Sequence, residues 1–309
     1  MKQTLLYKTF LVLTALLLCG TTMHAQEPYA VLSKNNTVLT FYYDNDKAER
    51  GGLSVGPFYW PEVGWDGYSD NITTVVFDDS FADCTTLTST AFWFFGCWHL
   101  TSIVGLEHLN TSSVTDMNCM FYWCHNLPSL DVSGFNTSNV TDMADMFAGC
   151  TALTSLDLSG FNTANVTDIS GMFYRCTALT RLDLSGFNTA NVTEMEYMFK
   201  VCPALQTIYA GDGWSTNNLE DGSGMFDGCT SLVGGKGTAY DADHIDHAYA
   251  RIDGGAEAPG YFTYKATEGV SPVVAGHDTD APVYSLSGQR LAAPRKGLNI
   301  VGGRKVIVK

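Results

Sequence analysis

The body of this 309-residue sequence contains few basic residues. Between Glu27 and Asp280 there are 32 acidic side chains but 9 lysines and arginines, and the whole chain has a net charge of −15. Such an acidic body repels phosphate backbones, so the composition argues against nucleic-acid binding. From Ala281 onward the sequence has 6 basic residues and no acidic one, which indicates that the end of the chain is a separate module.

Long apolar runs are also scarce. The run Phe10–Leu18 follows two lysines and precedes small residues up to Ala25. This order predicts a signal peptide over residues 1–25. Lipidation of Cys19 is disfavoured, because Leu18 stands where that cleavage needs a small residue. No other segment is long enough for a transmembrane helix, so we expect a protein that is secreted or lies at the cell surface, associated with the outer membrane.

Recognisable catalytic motifs are missing as well. The sequence has no HExxH and no GxxxxGK[ST], and GLSVG at residues 52–56 matches GxSxG without the apolar strand that precedes a nucleophile elbow, because the charged segment KAER stands there. His244 and His247, in the segment DADHIDH, could hold a divalent cation or belong to a solvated acidic surface. Because no complete ligand motif is present, we predict no catalytic residue, cofactor or metal, and no enzymatic activity.

What the sequence does contain is a repeat of about 26 residues. NVTDMADMFAGCTALTSLDLSGFNT at residues 139–163 returns as NVTDISGMFYRCTALTRLDLSGFNT from residue 165. Each repeat has a phenylalanine three residues before a cysteine and a leucine three residues after it. The cysteines are Cys97, Cys124, Cys150, Cys176, Cys202 and Cys229. A fixed period of this length is typical of stacked repeats.

Spacing within one repeat predicts a short helix followed by a strand. Val140, Met143, Phe147 and Cys150 recur at intervals of three and four, with Asn139 as N-cap and Asp142 near the positive helix end. The pattern LxxLxL that follows is that of a leucine-rich repeat. The predicted fold class is therefore α/β, a leucine-rich-repeat solenoid whose coils each pair a parallel β-strand with a short helix.

The repeats predict a chain of six segments. We expect a signal peptide (1–25), an N-terminal β-hairpin cap (26–72), the repeats (73–235), a C-terminal cap (236–265), a linker (266–281) and a short β tail (282–309). The aromatic segment Phe58–Trp65, with Phe92–Phe95 and Trp98, is predicted to fill the joint between cap and repeats rather than to bind carbohydrate.

Eight cysteines remain after signal cleavage. An even number in an exported protein favours disulfides, whereas a cysteine repeated among Phe, Met and Leu favours a buried free thiol, which is our prediction. Cys119 lies outside the repeated position, and we expect it to be the most exposed thiol.

Residues that vary between repeats are the candidates for binding. Asp131, Asp157 and Asp183 are predicted to stack on an exposed face, with solvation and neighbouring hydroxyls or amides, or else calcium or a basic partner, offsetting their repulsion. The candidate partner-binding residues are Ser129, Asp131, Ser155, Asp157, Arg181, Asp183 and Thr207 on the strand side, and Tyr197 on the helix side.

The motifs NVTxM, MFxxC and LTxLDLSxFNT, recurring in this order, resemble the BspA-like leucine-rich repeats of bacterial surface proteins. The resemblance implies a right-handed α/β solenoid, and an exported protein that binds host matrix or other cells without catalysis. The tail VYSLSGQRLAAPRKGLNIVGGRKVIVK resembles the end of Bacteroidetes type IX sorting domains but matches over a shorter length. We therefore expect a protein partner on a host or bacterial surface. The alternative is a structural envelope protein attached through its tail.

Overall fold

The computed structural model describes residues 25–33, 35–59 and 63–266, together with five short strands beyond residue 270. Most of the predicted signal peptide, residues 1–24, and most of the predicted linker lie outside the described residues.

The described residues form short strands and turns, with one α-helix, α1 (Lys47–Arg50). The strands are β1 (Glu27–Leu32), β2 (Val38–Asp44), β3 (Leu53–Ser54), β4 (Thr74–Phe77), β5 (Ser102–Val104), β6 (Arg181–Leu184), β7 (Thr207–Ala210), β8 (Phe262–Tyr264), β9 (Ser271–Pro272), β10 (Val283–Tyr284), β11 (Arg290–Leu291), β12 (Gly297–Val301) and β13 (Arg304–Val308). The 3₁₀ helices are Asp66–Asn71, Asp79–Asp83, Leu106–His108 and His247–Tyr249.

The strands form three small sheets. The first has the order β3-β1-β2-β4-β5, in which β1 pairs antiparallel with β2, and β2, β4 and β5 run parallel. Leu39 and Phe41 alternate with less buried residues along β2, so this sheet buries one face. The second sheet is the parallel set β6-β7-β8, and the third joins the tail strands in the order β11-β10-β12-β13-β9.

The solenoid predicted from the sequence is wrong. The structure is made mainly of small sheets and turns, the one α-helix among the described residues lies outside the repeats, and none of the three sheets forms a solenoid. Consecutive repeats are joined by isolated parallel bridges, such as Asp142 with Asp168 and Asp168 with Glu194.

Backbone conformation explains why the predicted helix does not form. The residues five positions and one position before each repeated cysteine have positive φ, as at Asp145 (55°) and Gly149 (74°). Left-handed residues interrupt a right-handed helix. Along this stretch the N–H groups of Met143 and Phe147 donate to the carbonyls of Asp168 and Met172 in the next repeat, whereas those of Met146 and Cys150 close turns within their own repeat.

The capping roles predicted for the NVTD segment are therefore also wrong. The Asn139 side-chain amide donates to the carbonyl of Ser112 in the preceding repeat, at 2.8 Å. The carboxylate of Asp142 accepts from the N–H of Ala144 at 2.9 Å. Both side chains bond to loop backbone, because there is no helix end to receive them.

The predicted repeat core is confirmed. Met143, Phe147, Cys150 and Leu153 are fully buried, as are their equivalents in the neighbouring repeats. The phenylalanine rings stack face to face, with centroids 6.0 Å apart between Phe147 and Phe173. Such burial is the main stabilising contribution of each repeat, at about 1.5–3 kcal/mol for each large apolar side chain.

Aromatic side chains close both ends of the stack. At the N-terminal end Trp65 and Trp93 are buried, and each indole N–H donates to a backbone carbonyl. At the C-terminal end Tyr261 and Phe262 pack against Phe226, at centroid distances of 5.0 and 5.9 Å. Of the predicted joint cluster, Phe58, Trp65, Trp93 and Phe94 are thus core, whereas Tyr59 and Trp98 are 73% and 48% exposed.

Candidate functional site

Most of the sequence-predicted binding residues lie on the side of the repeats that carries β6 and β7, here called the strand side. Arg181 and Asp183 alternate with buried leucines along β6, and Arg181 lies opposite Thr207 on β7. The equivalent residues of two preceding repeats, Ser129, Asp131, Ser155 and Asp157, are exposed but are not part of a strand. A pocket at Ser129 and Asp131 continues to Ile103, Leu106 and Phe135.

The aspartates of the strand side receive hydrogen bonds from their own repeat. Asp131, Asp157 and Asp183 each accept the N–H of the serine two residues later, at 2.9 to 3.1 Å. Hydrogen bonds from Ser133 lower the pKa of Asp131, and those from Ser159 lower the pKa of Asp157. Lys265 also pairs with Asp183. Local hydrogen bonds therefore stabilise the ionised carboxylates, as expected if neighbouring hydroxyls and amides offset the repulsion between them.

Tyr197 does not lie with the other candidates. It belongs to the opposite surface, the turn side, which is built from the stretches between the bridges and the cysteines. There it borders a groove of 280 Å³ with Asp145, Tyr174, Glu196 and Lys200. The Lys200 ammonium lies over the Tyr197 ring at 4.7 Å and pairs with Asp227 at 3.1 Å.

Carboxylates on the turn side have a different environment from those on the strand side. Burial, with the charges of Asp168, Asp142 and Glu196, raises the pKa of Asp145 to about 6. Burial likewise raises the pKa of Asp142. The side chain of Asp145 lies directly over Gly171, where an added Cβ would collide with it. This surface therefore holds carboxyl groups that titrate closer to neutral pH.

A second groove of 360 Å³ on the turn side was not predicted. We call it the aromatic groove, and it is lined by Asp66, Ser69, Asp70, Phe95, Gly96, Trp98, Tyr122 and Trp123. The 3₁₀ helix Asp66–Asn71 supplies its polar residues, and two consecutive repeats supply its aromatic ones. The sequence predicts a place in the joint for Phe95 and Trp98, whereas Tyr122 and Trp123 carry no prediction.

A signal for the aromatic groove is present in the aligned repeats. Trp123 occupies the position just before the cysteine, where Gly96, Gly149 and Gly228 stand in other repeats. Arg175 and Val201 also stand at this position, so the signal is the change from glycine to an aromatic residue between the two repeats that line the groove.

The cysteines are free and buried, which confirms the thiol prediction for the eight cysteines from Cys84 to Cys229. From Cys124 onward each repeated Sγ donates to a phenylalanine carbonyl of the preceding repeat, as Cys176 does to Phe147 at 3.1 Å. Burial raises the pKa of Cys176 well above its ordinary value. Cys119 has the largest exposed fraction of the eight, as predicted, but at 7% it is buried like the others.

The histidines of DADHIDH do not form a metal-ligand group. His244 Nδ1 lies 3.0 Å from a carboxylate oxygen of Asp241. Across the described ranges, no group of three His, Cys, Asp or Glu side chains could hold a metal ion.

None of the helices in the described part of the chain has the length and apolar character of a membrane span. The basic tail contributes the backbone of β10 to β13, whose side chains are outside the described features.

Comparison with known proteins identifies repeat proteins from two bacteria. A leucine-rich repeat protein from Eubacterium ventriosum is 18% identical, with 68% of this chain and 77% of that chain covered, at a TM-score of 0.24. A leucine-rich repeat protein from Bacteroides ovatus is 15% identical, with 67% and 80% covered, at a TM-score of 0.25. No curated protein matches.

A family model matches residues 88–211 and 181–253, which together make up more than half of the chain. These residues include the repeated cysteines from Cys97 to Cys229 and the bridges that join the repeats. The chain belongs to the family described as Mycoplasma protein of unknown function, DUF285.

Proposed function

We propose that this chain is an exported, BspA-like leucine-rich repeat protein that binds a protein partner on a host or bacterial surface, without catalysis. The observation that carries the proposal is the contrast between fixed core and variable surface. Phe147, Phe173 and Phe199 are fully buried, while the exposed positions of the same repeats change from one repeat to the next. A regular core that displays variable side chains suits recognition of a macromolecule.

The variation falls on two surfaces. On the strand side, Ser129, Ser155, Arg181 and Thr207 occupy one repeat position. On the turn side, Asp145, Gly171 and Tyr197 occupy another. Tyr and Arg are the residue types most enriched at the energetic centres of interfaces, so we expect Arg181 and Tyr197 to contribute most.

The chemistry of the cysteines supports a non-catalytic function. A nucleophilic cysteine needs a stabilised thiolate, but burial raises the pKa of Cys150 to about 12. The apolar run and following small residues at the N-terminus support export. We propose a location outside the cell or on the outer membrane for these reasons.

The test measures binding of the purified chain, without residues 1–25, to immobilised matrix proteins and to whole bacterial and host cells. Arg181→Ser and Tyr197→Gly are the informative variants, because Ser155 and Gly171 occupy the equivalent positions and the fold accommodates them. Each should weaken binding about tenfold, a loss of about 1.4 kcal/mol, as expected of an interface anchor.

Lys236→Ser, at an exposed position of the predicted C-terminal cap (236–265), serves as the control for loss of a positive charge. If neither informative variant weakens the binding, neither surface is the binding site. If the unaltered chain binds none of the surfaces tested, the proposed function is wrong.

A further inference from the structure

The aromatic groove combines flat ring faces with polar groups. Phe95 and Tyr122 stack at a centroid distance of 4.7 Å with an angle of 10°, and Trp98 beside them is 48% exposed. Gly96 lies between Trp98 and Ser69 in the groove wall, where an added Cβ would be 3.7 Å from Trp98 Nε1 and 3.9 Å from Ser69 Oγ. An exposed aromatic pocket of this size is uncommon unless it binds something.

The charge of the aromatic groove is entirely negative. Asp66 and Asp70 line it, neither forms an ion pair within the described ranges, and no lysine or arginine is among its lining residues. The imidazole of His125 lies 4.7 Å from Trp123 and 6.4 Å from Trp98. Burial lowers the pKa of His125, so this ring is neutral at pH 7 and does not repel a cation.

Trp123 is held in an unfavourable backbone conformation. Its φ is 62°, close to those of the equivalent Arg175 (57°) and Val201 (61°), while Gly96, Gly149 and Gly228 adopt the same region without a side-chain penalty. A left-handed conformation costs a side-chain-bearing residue about 1–2 kcal/mol. Because Arg175 and Val201 share it, this strain belongs to the turn of the repeat and not to the groove.

The same surface already accepts a guanidinium from its own chain. Arg175 Cζ lies 5.8 Å from the ring centroid of Trp123 and 5.4 Å from that of Tyr174, and its Nε–H donates to the Tyr174 hydroxyl at 2.9 Å. Arginine favours such stacking because its planar group is weakly hydrated.

We propose that the aromatic groove binds an arginine side chain from a basic segment of the protein partner. This proposal rests on the proposed function, since it specifies the chemistry of that partner. The guanidinium stacks on the exposed ring of Trp98, beside the half-buried ring of Trp123, and donates hydrogen bonds to Asp66 and Asp70. Cation–π attraction and charge-assisted hydrogen bonds favour arginine over a neutral side chain in this setting.

The proposal is tested with a short fluorescent peptide that carries two arginines separated by glycines. Two control peptides replace both arginines by lysine or by citrulline, which keeps the shape of arginine but has no charge. We expect the arginine peptide to bind more tightly than the lysine peptide, the citrulline peptide to lose at least about tenfold in affinity, and added salt to weaken binding.

Variants taken from the repeats themselves keep the fold intact. Trp123→Gly and Trp98→Thr introduce the residues found at the equivalent positions Gly149 and Thr151. Each should reduce affinity for the arginine peptide about tenfold, and the double variant Asp66→Asn/Asp70→Asn should do the same. Asp83→Asn/Asp243→Asn removes two exposed charges outside the groove and should leave affinity within about twofold.

The proposal would be overturned if the citrulline peptide bound as tightly as the arginine peptide, or if the Asp83→Asn/Asp243→Asn control lost as much affinity as the groove variants. It would also be overturned if the chain bound a neutral oligosaccharide and not the peptide, and if Trp98→Thr and Trp123→Gly abolished that oligosaccharide binding. These outcomes are separate from the test of the proposed function. Cell or matrix binding that survives Trp123→Gly rejects the arginine groove alone, whereas peptide binding without any cell or matrix binding rejects surface adhesion alone.

Discussion

At the scale of single residues, a buried threonine in each FNT motif joins one repeat to the next. Thr163 Oγ1 accepts the N–H of Asn188 at 2.8 Å and donates to the carbonyl of Asn188 at 2.9 Å. Thr111, Thr137 and Thr189 make the same pair of bonds in their repeats. Each hydroxyl therefore satisfies two backbone groups of the following repeat.

Thr163→Val should destabilise the protein by about 1–3 kcal/mol. Valine keeps the shape of threonine but leaves the N–H and the carbonyl of Asn188 without their partner in these partly buried hydrogen bonds. Urea unfolding at neutral pH measures the change. Thr180→Val, at an exposed position, is the matched control and should remain within about 0.5 kcal/mol. Equal losses of unfolding free energy in both variants would mean that the buried hydroxyl of Thr163 contributes no more to stability than an exposed one.

Asp145 should make stability depend on pH. Its pKa is about 6 in the folded chain, above the value near 4 expected in an unfolded chain, so the folded state binds the additional proton. Stability is therefore lost as pH rises from about 4 through 6. Asp145→Asn should raise stability at pH 7.5 by on the order of 1 kcal/mol and change little at pH 4.5.

Urea unfolding of both chains at the two pH values checks this dependence. Asn tolerates the left-handed φ of 55° at this position, so the substitution adds no backbone strain. Asp157→Asn is the control, because the pKa of Asp157 is lowered and its ionised form is the stabilised one. A gain at pH 7.5 in both variants would assign the effect to net charge and not to Asp145.

The thiols should be unreactive in the folded protein. All eight cysteines from Cys84 to Cys229 are free and buried, and burial raises the pKa of those in the repeated position. Iodoacetamide should label none of the eight during a short incubation of the native chain, and all eight in guanidinium without reductant. Fewer than eight labels in guanidinium, measured by mass spectrometry, would reveal disulfides.

At the scale of elements, the segment from bridge to cysteine is a pair of turns and not a helix. Two left-handed residues, five and one before the cysteine, turn the backbone so that alternate N–H groups point to the next repeat. The helical spacing of Met143, Phe147 and Cys150 is real, but the same spacing also suits turns that return to one buried side. Hydrophobic periodicity in a segment this short therefore does not distinguish a helix from a pair of turns.

Gly149→Ala should destabilise the protein by about 1–2 kcal/mol. Its φ is 74°, and an added Cβ would lie 3.1 Å from the Trp123 ring. Gly160→Ala is the control, since its φ is not in the left-handed region and its Cβ would meet Ser133 O at an ordinary 3.5 Å. Thermal unfolding should rank Gly149→Ala below both the unaltered chain and Gly160→Ala, and the reverse order would reject the turn structure.

At the scale of the whole molecule, stability depends on the two aromatic ends. A stack of repeats leaves an apolar face at each end, and Tyr261 and Phe262 cover that of Phe226. Phe262 also meets Trp214 at a centroid distance of 4.9 Å. The predicted C-terminal cap (236–265) therefore contributes to the core, although its sequence does not share the repeat pattern.

Phe262→Ala should cost about 3–5 kcal/mol and expose the end of the stack. The neighbouring Tyr264, which is 50% exposed, provides the control, and Tyr264→Ala should cost less than about 1 kcal/mol. Urea unfolding gives the free energies, and light scattering shows whether the opened end self-associates. Equal stability of the two variants would mean that β8 does not close the repeats.

The recurrence of residue types in the sequence predicted which positions form the core of the repeats, but it did not predict their backbone conformation. A buried position needs an apolar side chain of fixed size in every repeat, so Phe147, Cys150 and Leu153 show themselves by recurrence. The candidate site was harder to predict, because exposed residues are free to vary. The sequence placed Arg181 on the strand side and Tyr197 on the helix side, but the groove that Tyr197 borders is visible only in the structure.

By itself, the sequence determined the 26-residue period, the buried residues of each repeat and the thiol chemistry of the cysteines, since each depends on a pattern of side-chain types. Tertiary structure alone decided that the repeats are joined by isolated bridges and turns, because φ at Asp145 or Trp123 depends on hydrogen bonds to neighbouring repeats. It also decided the aromatic groove. Asp66 and Trp123 are 57 positions apart and meet only when the chain folds.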